Sequence, residues 1–216
     1  ESYYLYPMRV GIITTPLGFQ LHYEAGVSME VLDKVLPAID SVLSSLPENV
    51  PQPRINLANS RPEEGASYFD AASGSIVLRI DPSREDTSKV VQTVLAQELA
   101  HALSFSFSEN YTGELAWPNS FSTFLRDNLS ESIEFREAWA LDITLNTTMH
   151  HYYSTKHGYA INSGYAESFA AVLAAILLEK AGFDFENKNV FFFFFVLVIK
   201  IVVHKDGPRG IHFRRA

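Results

Sequence analysis

Apolar residues recur along this chain in blocks whose spacing changes from strand-like to helical and back. Met8–Ile13 (MRVGII) is rich in branched apolar residues and predicts a short strand. From Ser28, a favourable helix cap, Leu32, Val35, Leu36, Ile39, Val42, Leu43 and Leu46 fall at the spacing of one buried helix face. Pro37 inside that run predicts a kink or a later start, and Pro47, Pro51 and Pro53 close the run. Ile55–Ala58 reads as a second strand. Tyr68–Asp70, a small-residue turn over 71–75, and Ile76–Ile80 read as a hairpin whose second arm is a strand. Asp86-Thr87-Ser88 then cap a strongly periodic helix that carries Val90, Val91, Val94, Leu95 and Ala102. One further helix is expected around Ile133–Leu145. A last one should run from about Tyr165 to Ala181, with Gly182 as its stop. That last segment (ESFAAVLAAILLEK) is almost wholly apolar and predicts a core helix. The order strand, helix, strand, hairpin, then helices is that of an α+β fold.

The tail breaks the pattern. Val190–Val203 (VFFFFFVLVIKIVV) has five consecutive phenylalanines and only Lys200 to interrupt it. It reads as a buried strand, as an aggregation-prone segment, or as sequence that is not natively coding. Residues 187–216 therefore carry no functional weight here. No internal repeat and no linker-like stretch divides the chain, so 1–216 is expected to be a single domain.

Composition narrows the classes. With 216 residues, 47% hydrophobic and 13% aromatic, the chain can bury a sizeable core and is not disordered. The absence of cysteine excludes a disulfide scaffold, a zinc ribbon and a thiol enzyme. A formal charge of −8, from 17 basic and 25 acidic residues, argues against nucleic acid as a partner. No apolar run reaches the roughly 18–20 residues of a membrane span. The chain begins at Glu1 rather than methionine. It also holds three glycosylation acceptor patterns, at Asn110, Asn128 and Asn146, which together point to a secreted or extracellular protein.

The chemistry concentrates in Val94–Leu103 (VLAQELAHAL). On a helix, Gln97 and His101 are four residues apart and Glu98 and His101 three apart, so all three can face one cleft. This is the zinc-peptidase pattern H-E-x-x-H with Gln97 in place of the first histidine. In that pattern two imidazoles hold the metal from successive turns, and the glutamate acts as general base on the metal-bound water. The small Ala100 and Ala102 suit a helix packed tightly on its neighbours. Ahead of it, Ile76–Ile80 is expected to line a cleft and hydrogen-bond an extended substrate. Behind it, Glu167 near the start of the last helix is placed to supply a third, carboxylate ligand.

Tyr159-Ala-Ile-Asn162 followed by Ala166-Glu167-Ser-Phe169-Ala170 resembles the second motif of the anthrax toxin lethal factor-like metallopeptidases, a gluzincin family. The order of elements ahead of the first motif is similar as well, and the resemblance covers roughly residues 8–183. It implies a zincin-like domain, with a small mixed sheet, an edge strand over the cleft, and an active-site helix packed on further helices. It further implies His101 and Glu167 as zinc ligands, Glu98 as general base, and Tyr159 as donor to the tetrahedral oxyanion. The implied partner is a peptide or protein substrate.

Two departures stand out. Tyr159 lies one residue further from the glutamate than the family pattern places it. Gln97 offers zinc only a neutral amide oxygen, a poorer ligand than imidazole. Three readings follow: zinc held by Gln97, His101 and Glu167 with lower affinity; substitution by His150, His151 or His157; or a dead site that binds without cutting. The remaining candidates read more simply as structure. His150-His151 suits an exposed polar loop, Trp117 and Trp139 the core, and Glu131, Glu134 and Glu137 a solvated helix face. The serine-rich run 104–122 has no nucleophile elbow, and no phosphate-binding glycine loop occurs.

Overall fold

The computed structural model describes residues 9–46, 50, 52–61, 65–108 and 161–183. Within them the chain forms five strands and three helices: β1 (Arg9–Thr14), β2 (Gln20–Glu24), α1 (Met29–Leu43), β3 (Arg54–Asn59), β4 (Tyr68–Asp70), β5 (Ser75–Ile80), α2 (Thr87–Ser108) and α3 (Ile161–Lys180). The strands make one mixed sheet in the order β1-β2-β3-β5-β4. β2, β3 and β5 are parallel, while β1 and β4 run antiparallel to β2 and β5 at the two ends.

Local chemistry explains each element. Thr15 and Gly18 turn β1 into β2: Thr15 N–H donates to the Phe19 carbonyl (2.8 Å), and Gly18 takes a φ of +94° that a Cβ would strain. β2 was not among the expected strands. Its register with β3 pairs His22 with Asn56, and a buried Glu24 ties the strand ends by accepting from Asn59 N–H at 2.7 Å. Ser28 caps α1 as expected, its hydroxyl accepting from Val31 N–H at 3.3 Å. α1 runs through Pro37, which is exposed, so the proline does not delay its start. The helix stops at Leu43, before Leu46.

One core joins the elements. Leu21, Ile55, Leu57, Ile76, Leu78 and Ile80 project from one face of the sheet. They meet Leu32, Ile39 and Leu43 of α1 and Leu95 and Leu99 of α2, all buried. α3 packs chiefly on α2 and more lightly on α1, so α2 is sandwiched between sheet and α3. The described part is thus a mixed α/β assembly, in which α1 is the crossover from β2 to its parallel neighbour β3, and α2 follows β5 to cover the sheet.

One expectation is corrected. Ile76–Ile80 is not a free edge: β5 pairs with β3 along its whole length and with β4 at Ser75, Ile76 and Val77. At Ser75–Val77 pairing on both sides uses the backbone groups that a substrate would need, while Leu78–Ile80 are paired with a strand on the β3 side alone among the described residues. The helix expected around 133–145 and the phenylalanine-rich tail lie outside the described residues.

Candidate functional site

The motif sits on α2, and the start of α2 is firmly held. Thr87 is buried and its hydroxyl donates to the carbonyls of Asp81 (2.9 Å) and Arg84. The Asp86 carbonyl accepts from Val90 N–H at 3.0 Å. The Asp86 carboxylate turns away from the helix to take a two-pronged clamp from Arg84, at 2.9 and 3.1 Å. That clamp holds Asp86 below the usual aspartate range and raises Arg84. Asp81 is likewise lowered, first by the Ser83 hydroxyl and then by its backbone N–H. Ser88 Oγ donates to the Lys34 carbonyl (2.9 Å) and Gln92 Nε2 to Ser41 Oγ (2.8 Å), which keys α2 to α1.

Along α2, Leu95, Ala96, Leu99 and Ala100 are all fully buried, and Ala102 and Leu103 nearly so. The tight packing expected of Ala100 and Ala102 is therefore present. Gln97, Glu98 and His101 are half-buried and none is without an interacting neighbour. Helical geometry puts Gln97 and His101 one turn apart on one face, with Glu98 at its border.

Glu167 falls on α3, which begins at Ile161, four residues before the expected start. Its C-terminal end is well defined. Gly182 takes a φ of +79° and donates to the Glu179 carbonyl (3.1 Å), and Phe183 N–H reaches back to Leu178 (2.9 Å), a Schellman cap at the expected glycine. Lys89 Nζ stands 5.4 Å from the centre of the Phe183 ring, which puts the end of α3 beside the start of α2. Since α3 packs along α2, the two helices run antiparallel. From that anchor His101 lies roughly 18 Å along α2, and position 167 roughly 20 Å back from Lys180 along α3, at 1.5 Å per residue. The two backbone positions therefore sit at about the same level of the helix pair. Tyr159, His150, His151 and His157 lie outside the described residues. Among the described residues no three His, Cys, Asp or Glu side chains assemble as a metal-holding group.

Sequence reasoning missed a cleft of about 610 Å³. It opens where β2, β3 and β5 begin, with Leu99, Leu103 and Phe69 on one side and Gln20, His22 and Arg54 on another. Leu99 and Leu103 are each two residues from His101, a rotation of roughly 200° about the helix. Leu99 and Leu103 thus face away from Gln97 and His101, while Ala102, one turn on from Glu98, brings the cleft's edge up to the motif. The signal for it was the alternation in Gln20-Leu-His-Tyr-Glu24, which sends Leu21 to the core and Gln20 and His22 to the other face of the sheet. Comparison with protein-family models, curated proteins and solved structures finds no match for this chain.

Proposed function

We propose that this chain is a zincin-like metallopeptidase domain of the lethal factor-like, gluzincin kind, hydrolysing peptide bonds of a peptide or protein substrate outside the cell. The observation that carries the reading is the half-buried strip Gln97, Glu98 and His101 on a core-locked helix, with position 167 at the same level of its antiparallel neighbour. An imidazole, a carboxylate and an amide oxygen form a donor set that fits zinc, weakened at Gln97. His101, Glu167 and Gln97 would hold the ion, which when bound supplies the Lewis acidity that makes water a nucleophile near neutral pH. Glu98 takes the proton from the attacking water and delivers it to the leaving amine. Tyr159, or His157, donates a hydrogen bond to the oxygen on which charge develops.

Gln97 also favours a second reading, a pseudopeptidase that keeps the cleft and binds a peptide or protein without cutting it. The deciding experiment measures zinc per chain by elemental mass spectrometry in the wild type and in Glu167→Ala, alongside cleavage of a peptide library with and without chelator. The enzyme reading expects near-stoichiometric zinc lost in the variant, and cleavage abolished by chelator and by Glu98→Gln. No zinc under excess metal, with peptide binding that survives chelation, replaces it with the pseudopeptidase. Neither zinc nor peptide binding rejects both.

A further inference from the structure

We infer that the cleft at the beginning of β2, β3 and β5 is a second binding site, for a small carboxylate carried on an apolar body. It differs from the proposed zinc site in its lining, which takes Leu99 and Leu103 from the side of α2 away from Gln97 and His101 and meets the motif only at Ala102, one turn on from Glu98.

Its two walls differ in chemistry. Leu99, Ala102 and Leu103 present the apolar side of α2, joined by Phe69, Val50 and Pro53. Such a wall excludes water from a hydrocarbon or aromatic body and gains from covering it. The rest of the lining is polar, with Gln20, His22, Gln52 and Arg54 at the end of the sheet. Gln52 Nε2 donates to the Gln20 carbonyl at 3.2 Å and so ties the β3 approach to β2 at the rim. Among the described residues Arg54 is the one charged residue in the lining, and it has no carboxylate partner there. In a chain with 25 acidic residues against 17 basic ones, an exposed guanidinium lining a cleft is a specific feature. Its fork of donors matches a carboxylate in both charge and shape.

The sheet face that carries His22 and Arg54 holds one further polar group behind the cleft. Asn56 stands beside His22 in the strand register and two residues on from Arg54, on the same sheet face. It is buried to 6% exposure, and its amide oxygen has no hydrogen-bond partner among the described residues. At the floor, Gly74 leaves open space where a side chain would stand. Head and body of the ligand are thus both provided for: charge at Arg54, apolar surface along α2.

The test titrates the full chain with octanoate, 1-octanol and octylamine by calorimetry, in the presence of a metal chelator. Octanoate should bind tightest and octylamine weakest. Arg54→Gln, a change at an exposed position, should weaken octanoate about tenfold while leaving 1-octanol unchanged. Ala102→Phe, which fills the apolar side, should abolish binding of all three, with circular dichroism confirming that it folds. The inference is overturned if octanoate does not bind at millimolar concentration, binds no better than octylamine, or binds Arg54→Gln as tightly as wild type. Because chelator is present throughout, a failure of the peptidase reading leaves this result untouched.

Discussion

Placing an imidazole at position 97 gives the most direct test of the proposed zinc site on α2. In Gln97→His, positions 97 and 101 carry histidines one turn apart on one face, with Cβ atoms about 5–6 Å from each other. Two imidazoles at that separation can meet at one ion. Without metal the exchange costs a few tenths of a kcal/mol of helix propensity, because position 97 is half-buried and the buried flanks Ala96, Leu99 and Ala100 are untouched. With zinc at about 100 times its dissociation constant, mass action stabilises the folded state by about 2.7 kcal/mol. The net gain is then about 2 kcal/mol, which for a chain of this size raises the unfolding midpoint by roughly 4–8 °C. Thermal unfolding followed by circular dichroism, with zinc and with chelator, reads this directly. The shift should vanish in Gln97→His combined with Glu167→Ala. Equal midpoints with and without zinc in Gln97→His, or a shift that Glu167→Ala leaves intact, would refute the placement of the site between α2 and α3.

Two further outcomes follow from groups away from the motif. Glu24→Leu leaves the Asn59 N–H without its 2.7 Å acceptor in a spot only 6% exposed, and should cost about 2–3 kcal/mol in urea unfolding, whereas Glu24→Gln keeps an oxygen there and should cost under about 1 kcal/mol. Asp81 and Asp86 are both held below the ordinary aspartate value of 3.8, so their stabilisation of the loop leading into α2 is complete above it and is lost as pH falls through their lower folded values. Hydrogen exchange at Val90 N–H should therefore be protected down to acidic pH, and a loss of protection already under way at neutral pH would contradict the Arg84 clamp.

Much of the fold was legible because burial on one face imposes a period. α1, β3, the β4–β5 hairpin, α2 and α3 follow from runs such as Leu32-Val35-Leu36-Ile39 and from stops such as Gly182. β2 was passed over because three of its five residues are polar, although their strict alternation is itself a strand pattern. The order of strands was not legible. Ile76–Ile80 was expected to line a cleft, yet its parallel pairing with β3 joins stretches about 20 residues apart and no local pattern encodes it. At the site, helical spacing correctly put Gln97, Glu98 and His101 on one continuous helix. The cleft escaped notice because its walls come from four separated stretches of chain, none of which carries a motif.

The sandwiched position of α2 bears on how such a protein can change over generations. Its inner positions Leu95, Leu99 and Leu103 are locked by the sheet and α1, and α3 lies along it from outside. The polar strip 97, 98 and 101 is only half-buried, whereas Leu95, Ala96, Leu99 and Ala100 beside it are fully buried. Chemistry and foldedness are thereby uncoupled on this helix. Substitutions on the half-buried strip therefore bear on whatever the strip binds before they bear on the core, so the fold can persist while that surface changes.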